Sequence, residues 1–168
     1  AVSTDLLTGK QIVFSEGPIR QAVLASSSVP GAVEPVRVGQ WLLADGGVTS
    51  LVPVDAARKA GAQVVIAVMV DRELPADADM ETAKDVLYRA GEITANALQE
   101  AELKNADVVI RPDLGSMHWS DFSRAAELVK IGEDAAREAL DHVHGSLGLS
   151  RRVARFARRM FVEFKSPR

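Results

Sequence analysis

Apolar positions recur along the chain at two spacings, short β-prone runs alternating with stretches of helical period. The segment Ala1 to Asp5 reads as the end of a strand entering a Leu-Thr-Gly turn, and Lys10 to Phe14 as a short strand after it. Gly17-Pro18 opens a predicted helix over Ile19 to Ser26, with Pro in the tolerated first turn, and Pro30-Gly31 stops it. Val36 to Val38 and Trp41 to Ala44 predict two short strands, the second interrupted by Asp45-Gly46-Gly47. A helix over Pro53 to Ala60, ended by Gly61, leads to Gln63 to Val70, a strand apolar on both faces that suits the interior of a sheet covered by helices. After an acidic, proline-containing loop at Asp71 to Asp79 comes a long helix, about Met80 to Lys104. Its Val86, Leu87, Ala90, Ile93, Ala97, Leu98 and Ala101 share one face. Asp107 to Arg111 predict a short buried strand, and Phe122 to His144 a helix interrupted near Gly132. Strands alternating with helices predict an α/β fold, a layered sandwich with a largely parallel central sheet. The opening on a strand end, with Ala1 in place of Met, leads us to expect an incomplete domain.

The 168 residues are 47% hydrophobic and 26% charged, the profile of one globular domain or a part of one. No apolar run approaches the roughly 18 residues of a bilayer span, and the start lacks the pattern of a signal peptide, so a cytoplasmic or peripheral membrane location is expected. The net charge of -3 conceals an asymmetry: residues 146 to 168 hold seven basic side chains against Glu163, and the rest holds 13 basic against 22 acidic. An acidic body with a basic tail predicts no nucleic-acid partner for the body and leaves the tail free to meet anionic surfaces.

Several chemistries are excluded by residue type and spacing. With no Cys there is neither a thiolate zinc site nor a cysteine nucleophile. His142 and His144, two residues apart, point to different sides of a helix and read as a surface helix end, so no metal is expected. Neither G-x-G-x-x-G nor G-x-x-x-x-G-K-[ST] occurs, and no cofactor is implied. G-x-S-x-G is also missing, so no nucleophile is expected in this chain. Ser26, Ser27 and Ser28 read as a helix C-terminal turn packing under a site, and Asp5 as a capping or turn-forming carboxylate.

Asp45-Gly46-Gly47 remains, a carboxylate at a strand end followed by two glycines. It fits a tight turn, for which Asp-Gly is a favoured dipeptide. It equally fits a rigidly held carboxylate whose glycines let another backbone or a substrate come close. Spacing leaves both readings open.

The ordered set TDLLTG (Thr4 to Gly9), ASSSVPG (Ala25 to Gly31), ADGGV (Ala44 to Val48), PVDAARKAGAQVVIAV (Pro53 to Val68) and ADVVIRPDL (Ala106 to Leu114) resembles the second half of bacterial patatin-like phospholipases. The match runs in order over about residues 1 to 140. It implies a Ser-Asp dyad on an α/β sandwich, with the serine in a G-x-S-x-G elbow and the aspartate in a D-G-G/A motif, and so Asp45 as the catalytic aspartate. In that family the glycine-rich oxyanion loop and the elbow precede the segment seen here. The resemblance therefore implies a serine hydrolase of phospholipid or lysophospholipid esters to which residues 1–145 contribute the aspartate, with an N-terminal companion segment carrying the serine. This chain alone would be inactive. The rival expectation is a non-catalytic lipid- or protein-binding module on the same fold. An aspartate serves as base if its surroundings raise its pKa, and burial does this.

The tail, 146–168, lies outside the resemblance. On a helical wheel Leu149, Val153, Phe156, Met160 and Phe164 form one face and Arg151, Arg152, Arg155, Arg158 and Arg159 the other. Such a helix would lie on an anionic membrane surface, or dock its apolar stripe on the domain's own core.

Overall fold

The computed structural model describes residues 1–70, 74, 80–115, 117 and 123–148. Apart from Leu74, the expected acidic loop at 71–79 lies outside the described residues, and so does the predicted amphipathic tail from 149 onward. The chain divides into two compact units, one of Ala1–Ala56 with Leu74–Lys104 and a second that begins at Ala57 and holds the remaining elements.

In the first unit, β1 (Val2–Asp5) and β2 (Lys10–Val13) form a hairpin in which Val2 faces Val13 and Asp5 faces Lys10. The turn closes through Gly9, whose amide donates to the Asp5 carbonyl at 2.8 Å and whose φ of 70° lies in the left-handed region where a side chain would be strained. Helix α1 (Ile19–Ser26) follows, then β3 (Val36–Val38) and β4 (Trp41–Asp45), paired by way of a turn at Gly39. The sheet order is β2-β1-β4-β3 and all its pairings are antiparallel. Helix α1 packs on β1 and β4 and buries Ala22 and Ala25, while Leu43 and Ala44 of β4 are buried on opposite faces of the sheet. The small alanines allow the helix close to the sheet.

The expected largely parallel sheet is therefore found only in part, because parallel pairing is confined to β5 and β6 of the second unit among the described residues. Loop length accounts for two of the three antiparallel pairings, β1–β2 and β3–β4. Turns as short as those at Gly9 and Gly39 can only reverse a strand, whereas a parallel neighbour needs a crossover of a dozen residues or so.

The chain leaves the first unit within α2 (Val54–Lys59) and returns for α3 (Ala83–Leu103). Helix α3 starts at a capping box, in which the Thr82 hydroxyl accepts from the Asp85 amide at 3.2 Å and the Asp85 carboxylate accepts from the Thr82 amide at 2.9 Å. The Thr82 hydroxyl also donates to Asp85 Oδ2 at 2.6 Å, and this bond first, with the Thr82 amide after it, holds the Asp85 carboxyl below its usual pKa. The apolar face expected on this helix is exposed: Val86 is 52%, Leu87 75% and Ile93 53% accessible. Periodicity located the helix without showing what it buries.

In the second unit β5 (Ile66–Val68) lies parallel to β6 (Val108–Ile110), with Ile66 facing Val108 and Val68 facing Ile110. The expectation of burial on both faces fails for β5, where Ala67 is 3% accessible but Ile66 and Val68 are 43% and 49%. Arg58 ties this unit together, donating to the carbonyls of Gln63 and Asn105 at 3.0 Å each and to Asp107 Oδ2 at 2.6 Å. Asp107 Oδ2 also accepts from the Val65 amide at 2.8 Å, so one carboxylate oxygen ends the α2 bracket and starts β5. The predicted 122–144 helix is two, α4 (Ala125–Glu138) and α5 (Leu140–Leu147), broken at Ala139 and continuous through Gly132. Among the described residues no helix is long and apolar enough to cross a membrane.

Candidate functional site

Asp45 ends β4 and caps the single 3-10 turn Gly46–Val48. Its carboxylate Oδ1 accepts from the Gly47 amide at 2.7 Å, a charge-assisted bond that orients the side chain. Its own amide donates to the Ser28 carbonyl at 2.9 Å. The residue is half-buried, so the carboxylate is fixed from behind and still reachable.

Neither glycine has a left-handed φ, and the segment is a helical turn instead of a two-residue hairpin. Their role is proximity. A Cβ on Gly46 would lie 2.5 Å from the Val2 carbonyl oxygen, so β1's backbone occupies the space a side chain would need. A Cβ on Gly47 would meet Leu51 Cδ2 at 2.9 Å and Asp45 Oδ1 at 3.1 Å. The turn is further pinned by the Ser50 and Thr49 amides on the Gly46 carbonyl, at 2.8 and 3.1 Å, and by a 2.8 Å bond between the hydroxyls of Thr4 and Thr49.

The serine run does structural work around this turn. Ser26 Oγ donates to the Val2 carbonyl at 2.7 Å, tying the end of α1 to β1. Ser27 Oγ and Ser28 Oγ donate to the carbonyls of Val23 and Leu24 at 2.8 and 2.7 Å, closing the last turn of the helix. The Ser28 carbonyl then receives the Asp45 amide. The contribution of that carbonyl could not be read from side-chain patterns, because it belongs to the main chain.

Asp5 braces the other end of the same strand pair. Its Oδ2 accepts from Thr8 Oγ1 at 2.6 Å, and its Oδ1 from the amides of Leu42 at 3.1 Å and Leu7 at 3.3 Å. The Thr8 hydroxyl, against the opposing effect of burial and with help from the amides, holds the Asp5 carboxyl below its usual pKa. Asp5 is thus a turn-forming carboxylate that also clamps β4 three residues before Asp45. His142 and His144 both lie exposed on α5.

The arrangement offers a carboxylate held in one orientation at a strand end, able to accept a proton from a group brought to it. Beside it stand exposed apolar side chains, Val48 and Leu51.

The family model described as patatin-like phospholipase matches residues 2–58, from β1 through α2, the stretch that carries Asp45 and the elements bracing it. An uncharacterized NTE family protein of Mycobacterium tuberculosis is 29% identical over 164 residues, covering 83% of this chain and 28% of that protein. A second NTE family protein of the same species is 41% identical over 71 residues, covering 42% of this chain and 20% of its own length. Lysophospholipase NTE1 of Saccharomyces cerevisiae is 25% identical over 160 residues, 80% of this chain and 10% of that protein. The chain thus spans under a third of the length of each of these relatives. The family match over the Asp45 region, with NTE-family relatives in bacteria and yeast, supports assigning this chain to the patatin-like phospholipase family.

Proposed function

We propose that this chain contributes the aspartate of a Ser-Asp dyad to a lipid acyl hydrolase acting on phospholipid or lysophospholipid esters, the serine coming from a segment outside these residues. The observation that carries the reading is the Asp45 carboxylate, oriented by the Gly47 amide on a turn pinned to β1, within the family-matched region. In the reaction Asp45 takes the proton of the serine hydroxyl as the serine oxygen bonds to the ester carbonyl carbon. The proton then passes to the departing alcohol oxygen as the ester C–O bond breaks, leaving an acyl-serine. Water, giving its proton to the same carboxylate, attacks that carbonyl, and the proton passes to the serine oxygen as the acyl C–O bond breaks, releasing the fatty acid and restoring both residues. The exposed Val48 and Leu51 supply apolar surface of the kind an acyl chain requires. The basic tail holds the enzyme at an anionic bilayer.

The test uses the longer protein that contains the elbow serine. Asp45→Asn is isosteric and keeps an oxygen for the Gly47 amide, so the fold should survive while hydrolysis of a lysophospholipid falls by roughly 100-fold or more. Near-normal turnover in that variant would return Asp45 to a purely structural role.

A further inference from the structure

Ser3 is fully buried, and its Oγ has no hydrogen-bond partner among the described residues. A buried hydroxyl without a partner is a destabilising feature that folds seldom keep, so one beside a reactive group calls for an explanation. Ser3 faces Asp45 across the β1–β4 pairing. The pair is of the non-hydrogen-bonded kind, because the Asp45 amide turns away to Ser28 while the ladder bond from the Leu6 amide to the Leu42 carbonyl, at 2.8 Å, sets the alternation. In such pairs both side chains lie on one face and approach most closely, with Cβ atoms about 4.5–5.5 Å apart. Serine needs only a rotation about χ1 to redirect its hydroxyl. On Asp45, Oδ1 is engaged by Gly47, and Oδ2 takes no hydrogen bond among the described residues.

We infer that Ser3 is a positioning residue for Asp45, its hydroxyl donating to Oδ2 and fixing the plane of the carboxylate that receives the nucleophile's proton. A carboxylate has lone pairs for about four hydrogen bonds, so bonds from Gly47 and Ser3 leave room for the serine. The inference rests on the dyad reading of Asp45 and adds to it the group that holds the second oxygen.

The experiment compares Ser3→Ala, Ser3→Thr, Asp45→Asn and the double variant Ser3→Ala/Asp45→Asn in the longer, serine-bearing protein, by steady-state hydrolysis of a lysophospholipid and by thermal melting. A purely structural Ser3 makes Ser3→Ala neutral or stabilising, since the deleted hydroxyl has no partner to lose. Positioning instead lowers kcat about tenfold with KM and the melting temperature held, Thr restores most of the loss by keeping the hydroxyl, and the alanine costs nothing further once Asp45 is Asn. The inference is overturned if Ser3→Ala keeps full kcat while Asp45→Asn is impaired, if the tenfold loss persists in the Asn background, or if kcat falls only in step with melting. Unimpaired Asp45→Asn would instead remove the dyad reading itself, and this inference with it.

Discussion

The sheet around Asp45 and the second unit are built from the same kinds of element but are held together differently. Around Asp45 the bonds run from small side chains to main chain and from main chain to main chain: Ser26 to Val2, Ser28 to Leu24, the Asp45 amide to Ser28, and Gly46 seated against the Val2 carbonyl. In the second unit one long side chain, Arg58, gathers separate segments, and α4 carries its ion pairs on its surface, Arg124 with Glu127, Lys130 with Asp134 and Arg137 with Glu133. A network of short side chains and backbone has few rotamers to lose and holds positions tightly, whereas exposed ion pairs spend rotamer entropy and are screened by solvent. The network of short side chains and backbone is the one that surrounds the Asp45 carboxylate.

That contrast predicts a descending series of effects. Gly46→Ala should be the most damaging, by about 3 kcal/mol in urea unfolding, because its Cβ meets backbone that cannot rotate aside. Wild-type stability in this variant would mean that β1 yields easily and that the region is less rigid than described.

Asp5→Asn comes next, with the melting temperature falling by roughly 5 °C at neutral pH as the amide loses the charge-assisted bonds. The fold holds the Asp5 carboxyl below its ordinary value of 3.8, so the stability it adds is fully present above that value. It is lost as the pH falls through the lower folded value. Melting curves taken below about pH 4 should therefore converge for the variant and the parent. Curves that stay parallel would assign the acid sensitivity to other groups.

Arg58→Ala should follow, at about 1 kcal/mol, since the guanidinium is partly solvated and its carbonyl partners can turn to water. Hydrogen exchange should quicken at Val65 and Asp107 and leave Leu43 and Ala44 unchanged. Quickening in both sets would show that the two regions unfold together. Smallest of all, Lys130→Ala should change stability by less than about 0.5 kcal/mol, because its pair with Asp134 is exposed. A larger loss would give the α4 surface pairs a weight comparable to the Arg58 bracket.

Local pattern was enough to locate the elements and to single out Asp45 as a candidate. Period-two and helical spacing located the six strands of the described residues, although the expected Gln63 to Val70 narrows to Ile66–Val68, and missed the helix break at Ala139, which carries no Gly or Pro to announce it. Asp45 stood out because a strand end followed by two glycines is conspicuous in any chain, and the resemblance to patatin-like phospholipases gave it a role. Pairing was not legible, since local pattern says that a strand exists and leaves open which strand lies beside it. Hence the antiparallel order β2-β1-β4-β3 emerged only in three dimensions. The same holds for Gly46, whose need for a missing side chain comes from Val2, 44 positions earlier in the chain. It holds for Ser3 as well, an ordinary strand residue in sequence that the register sets opposite Asp45. Local spacing records what each residue prefers, and only the tertiary fold decides which distant residue it meets.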